Sequence, residues 1–231
     1  MVVGRGMIAT KFSYYKDENV LFFASGVSNS NEINEKAFHK EETLLGNTLQ
    51  ERKTKTFVYF SSCDVENPQL SSKAYYQHKL KMENIVSSSG GNFYIFRLPQ
   101  VVGHGGNKNT LINFLLDKIK SETSFEIYSG TKKNIIDIDD VYDLTTHIIK
   151  HKQYLNSISN IINTKYISVL DLVKIIEKNL DLQAHYTFKN LDTSYYYKAS
   201  FIEAISKELN ILFDESYHQR LISKYSHADI N

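Results

Sequence analysis

An apolar run, Phe57-Val-Tyr-Phe60, ends in two hydroxyls, Ser61 and Ser62. Thirteen residues past Ser62 stands Tyr75, with Lys79 four positions further on. On a helix, side chains at i and i+4 share a face. Tyr75 and Lys79 can therefore aim a phenol and an ammonium at one point, where a Ser at the tip of a neighbouring strand can meet them. Such a set moves a proton on or off a carbonyl or alcohol oxygen. A free phenol ionises near ~10 and is a poor base at neutral pH; a nearby ammonium favours the phenolate and brings it closer to working pH.

The elements that must position these groups read as alternating strands and helices. Met1-Val-Val-Gly4-Arg-Gly6-Met7-Ile8-Ala9 is a short strand running into Gly-x-Gly-x-x-Ala, with Ile8, Phe12 and Tyr15 continuing at near-helical spacing. Such a turn lets backbone approach a pyrophosphate and aims a helix N-terminus at its charge. Asn19 to Gly26 is a buried-type strand ending in the small residues Ala24, Ser25 and Gly26. Residues 32–53 read as a helix, 56–61 as a strand buried on both faces, and 72–88 as the helix holding Tyr75 and Lys79. Phe93 to Pro99 is a fourth strand, Pro99 marking its end.

Beyond it a Gly-containing loop leads to a helix over 109–120, strands at 125–128 and 134–138, and a helix to about 150 capped by Asp139 or Asp140. A strand at 159–163, a helix over 169–180 capped by Ser168, and a final helix near 200–209 complete the pattern. The expected fold class is α/β, a mostly parallel sheet with helices on both faces.

Composition narrows the function classes. The 231 residues carry a net charge of +1, with 42% hydrophobic and 23% charged residues, an ordinary globular balance. That charge gives no reason to expect nucleic acid or an anionic membrane as partner. A single cysteine excludes an internal disulfide framework and fits a reducing compartment. With no signal-peptide pattern and no apolar run of membrane-spanning length, the expected location is cytoplasmic. No His/Cys/Asp cluster has metal-ligand spacing. Tyr76, three before Lys79, reads as a bland neighbour of the motif, His78 as helix surface, Cys63 as a small apolar filler, and Tyr195-Tyr-Tyr197 as packing.

Taken in order, these segments resemble the extended short-chain dehydrogenase/reductases, the epimerase, dehydratase and reductase group that acts on nucleotide-linked sugars. The Gly-rich turn, Phe-Val-Tyr-Phe-Ser-Ser, Tyr75-x-x-x-Lys79, Arg97-Leu-Pro-Gln-Val-Val-Gly103, Asn134-Ile-Ile-Asp-Ile-Asp-Asp140-Val and Asn160-Ile-Ile-Asn to Leu-Val173 carry the likeness across nearly the whole chain.

The resemblance implies a Rossmann-like domain over 1–155. A small nucleotide-sugar lobe over 156–231 would be helped by about 103–133. It makes Ser62 the hydroxyl that polarises the reacting oxygen, Tyr75 the proton donor and acceptor, and Lys79 the residue that lowers the Tyr pKa and holds the nicotinamide ribose. It places Gly4, Gly6, Met7, Ile8, Ala24, Ser25, Gly26, Ser61, Pro99 and Val102 on an NAD or NADP cofactor. Ser28, Cys63, Asp64, Asn109 and Asn113 fall to the sugar nucleotide, and a homodimer is implied through the helices near 32–53 and 72–88.

Departures from the group matter as much. Only about a dozen residues separate Ala9 from the next strand, where the group inserts two further strand–helix units, so the sheet is expected to lack its adenosine-side edge strands. No Asp or Glu for an NAD ribose and no Arg for a 2′-phosphate can be placed, which leaves NAD and NADP both open. The Asn that the preceding helix often contributes has Thr43 or Asn47 near its place. Two functions follow. One is keto-reduction or epimerisation of a nucleotide-linked sugar, for a surface polysaccharide. The other is a sensor or scaffold that binds the sugar nucleotide or the cofactor without turnover.

Overall fold

The computed structural model describes residues 1–53, 55–105 and 110–226, and the chain divides into two compact units. Unit 1 comprises Met1–Pro99 and Val141–Ile161; unit 2 comprises Gln100–Asp140 and Ile162–Asn231.

Unit 1 is built on a five-stranded parallel sheet in the order β1-β2-β3-β4-β8: Val2–Val3, Val20–Phe23, Thr56–Ser62, Asn92–Leu98 and Ser157–Asn160. All four residues of β2 and the middle five of β3 are buried, because helices cover both faces. On one face α2 (Glu35–Glu51) and α3 (Ala74–Ser87) supply Leu45, Met82 and Val86 against Leu21, Phe23, Phe57, Tyr59 and Ile95. On the other, Phe12 of α1 (Met7–Phe12) packs its ring 4.8 Å from both Phe22 and Phe60 and 5.2 Å from Tyr142 of α5 (Ile138–Lys150). Asn34 caps α2 by accepting the Lys36 N–H.

The sheet ends at β1. Among the described residues no strand pairs with its outer edge, as the short interval between Ala9 and β2 requires. Gly4 closes β1 with φ of +137°, and a Cβ there would stand 2.4 Å from the Ala24 carbonyl oxygen. The glycine thus serves the close approach of the β1 and β2 ends, a reason the Gly-rich pattern did not reveal.

Unit 2 holds a three-stranded sheet, β5-β7-β9 (Gln100–Val102, Lys132–Asp137, Tyr166–Ser168), with β9 antiparallel. A parallel pair joins β6 (Phe125–Tyr128) to β10 (Tyr186–Lys189). Its core gathers Ile112, Leu115 and Ile119 of α4 (Leu111–Lys120), Leu172, Val173 and Ile176 of α6 (Val169–Leu180), and Leu221 and Ile222 of α8 (Tyr217–Tyr225). Ser168 caps α6 through the Asp171 N–H, as expected.

Three local readings need correction. Asp139 and Asp140 lie inside the first turn of α5, and the residue that accepts the Asp139 N–H is Asp137. The helix at α7 (Ile202–Glu208) does not close the chain; α8 follows it. The short strands β5, β9 and β10 have three or four residues each, too few to show a period.

Gly4→Ala is expected to destabilise the protein by about 2–3 kcal/mol, since the side chain meets both a forbidden φ and a backbone carbonyl. Urea unfolding of the two proteins measures the difference.

Candidate active site

Tyr75 and Lys79 sit one turn apart on α3. This helix buries an unusual set: Tyr76, His78, Lys79, Met82, Glu83 and Val86. Three of these six carry ionisable nitrogen or carboxyl groups, and burial of such groups is costly unless each is paired. The structure pairs all three. His78 and Lys79 are answered by Glu41 from α2, and Glu83 by Arg97 from β4.

Glu41 is 4% exposed and Lys79 5%. The Lys79 ammonium donates to Glu41 Oε1 at 2.9 Å and to the Tyr59 hydroxyl at 3.2 Å, while Tyr59 itself donates to Oε1 at 3.0 Å. On the second oxygen, Oε2, His78 Nε2 approaches to 3.1 Å and the Val27 N–H donates at 2.8 Å. Every lone-pair direction of this carboxylate has a donor. Burial pushes the Glu41 carboxyl pKa up, but the His78 hydrogen bond, the Lys79 charge and the Val27 N–H outweigh it and bring it down to about 2. Gly26 lies against the pair. A Cβ there would come within 2.7 Å of Glu41 Oε1 and 2.9 Å of Lys79 Nζ, so its lack of a side chain is clearance for the ion pair.

Glu41 went unforeseen. The residues expected near this place on α2, Thr43 and Asn47, are both exposed, and the helix turns Glu41 inward with Leu45 one turn later. Glu41 and Leu45 share an i, i+4 stripe, the one signal that could have found it. His78 also departs from the reading as helix surface. It is 6% exposed, its ring stacked 4.6 Å from Phe38.

Tyr75 is half-buried above this network, its ring centroid 5.8 Å from Lys79 Nζ. Its hydroxyl has no hydrogen-bond partner among the described residues. The expected lowering of its pKa is not realised. Burial raises it, the Lys79 charge acts against that, and the Glu41 and Asp64 carboxyls add to the rise, so the phenol ends above its ordinary value. Tyr76 beside it is buried, with its hydroxyl donating to Asp64 Oδ2 at 3.3 Å. The structure thus leaves Tyr75 available and commits Tyr76 to packing.

Ser62 closes β3, and its Oγ accepts the Asp64 N–H at 3.3 Å, capping the 3-10 turn Cys63–Glu66. No hydrogen bond joins it to Tyr75. Ser61 lies on the Tyr59 side of β3 by strand alternation, and its Oγ is buried with no hydrogen-bond partner. Cys63 is buried, hydrogen-bonded through Sγ to the Arg97 carbonyl at 3.2 Å, and burial pushes its thiol pKa well up. It is a filler without nucleophilic character.

The turn is anchored by Arg97. Its guanidinium donates to both oxygens of Glu83, at 2.8 and 2.6 Å, and to Glu66 at 2.5 Å, and Asn160 donates to the other Glu66 oxygen at 3.2 Å.

Of the remaining expected positions, Gly6 is the N-cap of α1 and a Cβ on it would meet nothing within 4 Å; Met7 and Ile8 follow on that helix. Ala24, Ser25 and Gly26 follow the end of β2, Ser28 lies just beyond, and Pro99 follows β4. Val102 and Asn113 belong to unit 2, on β5 and α4. Asn109 lies outside the described residues. For a nicotinamide nucleotide, the open face over Gly6 and the partnerless Ser61 hydroxyl fit a bound group, whereas the sheet supplies no strand beyond β1 for an adenosine end.

No protein-family model matches the sequence, and no curated protein matches it. Solved structures do. UDP-glucuronic acid 4-epimerase from Bacillus cereus, in complex with UDP-glucuronic acid and NAD, aligns with a TM-score of 0.71 at 16% identity over 96% of this chain and 78% of that one. The dTDP-glucose 4,6-dehydratase from Bacillus anthracis str. Ames, in complex with NAD, gives 0.68 at 14% over 90% and 71%. RMD from Pseudomonas aeruginosa complexed with NADPH gives 0.69 at 13% over 97% and 88%. The chain has the fold of the extended short-chain dehydrogenase/reductases, a Rossmann-like sheet with helices on both faces.

Removing the Glu41 carboxylate strands a buried ammonium, so Glu41→Ala is expected to cost about 3–5 kcal/mol in urea unfolding. The Glu41→Ala/Lys79→Met pair should recover most of that loss. Because the folded carboxyl titrates near 2 against 4.5 unfolded, its contribution is complete above pH 4.5 and is withdrawn as pH falls toward 2. Stability in the parent should therefore drop by roughly 3 kcal/mol over that window, and the Glu41→Ala/Lys79→Met protein should lack this part of the acid limb.

Proposed function

We propose that the protein is an NAD(P)-dependent oxidoreductase, a keto-reductase or epimerase, acting on a nucleotide-linked sugar with Tyr75 as the acid/base. The observation that carries this reading is the Tyr75 hydroxyl, without a hydrogen-bond partner among the described residues, on a ring 5.8 Å from a buried ammonium, in a fold whose neighbours hold NAD and UDP-sugars. A phenol so placed hands its proton to a carbonyl oxygen or takes one from an alcohol.

When bound, the nicotinamide would supply or accept the hydride. The residues that would hold it on unit 1 are the Gly4–Ile8 turn, Ala24, Ser25, Gly26, Ser61, Lys79 and Pro99. Lys79 spends two of its three donors on Glu41 and Tyr59, which leaves one for a ribose hydroxyl. Ser62 would polarise the reacting oxygen with its hydroxyl proton, since the cap it makes uses only an oxygen lone pair. Cys63 and Asp64, one and two residues on, border that point, and Asp64 is a single carboxylate where dehydration would want an acidic pair. On unit 2, Asn113 would serve the nucleotide-sugar and Val102 the cofactor; on unit 1, Ser28, just past the end of β2, would serve the nucleotide-sugar. The protomers would pair through α2 and α3.

The second reading, a module that binds a sugar nucleotide or cofactor as sensor or scaffold without turnover, is favoured by one specific feature, the sheet that ends at β1.

Titration of NADH and NADPH, followed by nicotinamide fluorescence, separates the two. Saturable binding of either, with oxidation in the presence of a UDP- or dTDP-linked keto-sugar, is the expected outcome. Absence of binding at millimolar concentration removes the enzyme reading. Tyr75→Phe is then expected to lower kcat by about 10²–10⁴-fold with cofactor affinity unchanged, and turnover surviving the substitution would place the proton elsewhere.

A further inference from the structure

We propose that Glu41 is a positioning residue of this site: by fixing and cancelling the Lys79 ammonium it holds Tyr75 as a neutral phenol, poised to give a proton in the reductive direction. The inference deepens the reading of Tyr75 as acid/base and rests on it.

The geometry comes first. A lysine beside a phenol acidifies it only to the extent that its charge is unbalanced. Here the ammonium is 2.9 Å from a carboxylate oxygen and sealed from water with it, so their fields largely cancel at a ring 5.8 Å from the nitrogen. The cation is also held in place, donating to both Glu41 and Tyr59.

The ionisable groups around Tyr75 come from four elements. They are Tyr76, His78 and Lys79 on α3, Glu41 on α2, Tyr59 on β3, and Asp64 in the turn after β3. Carboxyls outnumber the one permanently charged cation in this set, which disfavours a phenolate. The rise in the Tyr75 pKa, caused by burial and reinforced by Glu41 and Asp64 against Lys79, agrees with this balance.

The chemical consequence is directional. In reduction of a carbonyl, the Tyr75 O–H bond breaks and its proton goes to the substrate oxygen. The carbonyl carbon receives a hydride from a reduced nicotinamide nucleotide, the co-reactant, and the electron pair left on Tyr75 is reprotonated from water. A neutral phenol is the form this requires. Alcohol oxidation requires the phenolate, of which the Glu41–Lys79 pair leaves little at neutral pH.

The test reads Tyr75 directly, independent of turnover. Tyrosine labelled with ¹³C at Cζ reports ionisation by its chemical shift, and the Tyr75 resonance is identified by its loss in Tyr75→Phe. In Glu41→Gln, which leaves the ammonium uncancelled, Tyr75 is expected to become at least about tenfold more acidic than in the parent. In Glu41→Gln/Lys79→Met, which removes both charges and spares the fold a stranded one, it should stay within about tenfold of the parent.

A parent-like titration in Glu41→Gln would overturn the proposal. So would a double variant in which Tyr75 is more than about tenfold weaker as an acid, because Lys79 was then felt uncancelled. If Glu41→Gln does not fold, the double variant alone decides. Should the protein prove to have no reductase activity, the function proposed above fails while these titrations still settle whether Glu41 governs Tyr75.

Discussion

The buried carboxylate of Glu41 is the constraint around which unit 1 is assembled. It draws together α2, which carries it, α3, which sends in His78 and Lys79, β3 through Tyr59, and the end of β2 through Val27 and Gly26. Two helices could pack on this sheet face by apolar contact alone, as Leu45, Met82 and Val86 do. Apolar contact tolerates sliding; a carboxylate with four donors does not. The ion pair therefore sets the rotation of α3 about its axis, and that rotation decides that Tyr75 looks outward from the network while Tyr76 is turned into the turn carrying Asp64. Taking these charges out of water is costly, and their lasting use is to fix position.

The two ends of the sheet are treated unequally. At β3 and β4, seven-residue strands pair over their whole length and deliver Ser61 and Ser62 to the site. At β1 the strand is two residues long and the sheet stops. The candidate site thus stands at the best-supported part of the sheet, and among the described residues no strand extends it beyond β1.

Much of this was legible in the sequence because strong periodicities and punctuation carried it. The strand at 56–62, the helix around Tyr75 and Lys79, the Ser168 cap and the alternation that implies a parallel sheet all follow from local pattern. The missing edge was readable from chain length alone, since a dozen residues cannot hold two strand–helix units. What escaped was tertiary. A glutamate in a charged helix reads as surface, and only the meeting of α2 with α3 shows that Glu41 faces inward. His78 escaped for the same reason. The direction of the Tyr75 shift could not be read from Lys79 alone, because it depends on who else holds the lysine. Gly4 and Gly26 were singled out for a cofactor, and the atoms that crowd them belong to Ala24, Glu41 and Lys79.

The Arg97 clamp bears on how such a site can change over time. Its guanidinium ties Glu83, two turns beyond Tyr75 on α3, to Glu66, which closes the turn begun at Ser62, while Asn160 holds the remaining Glu66 oxygen. Ser62 and Tyr75 are thereby mounted on one frame, each anchored at a distance from its own hydroxyl. Losing either Arg97 or Glu83 leaves the other's buried charge without its main counterpart, so these two positions are bound to be inherited or replaced together. Exposed loops outside the clamp carry no such obligation. In a lineage of such chains, exposed loops can drift freely while the spacing between Ser62 and Tyr75 stays locked to the three charged residues of the clamp.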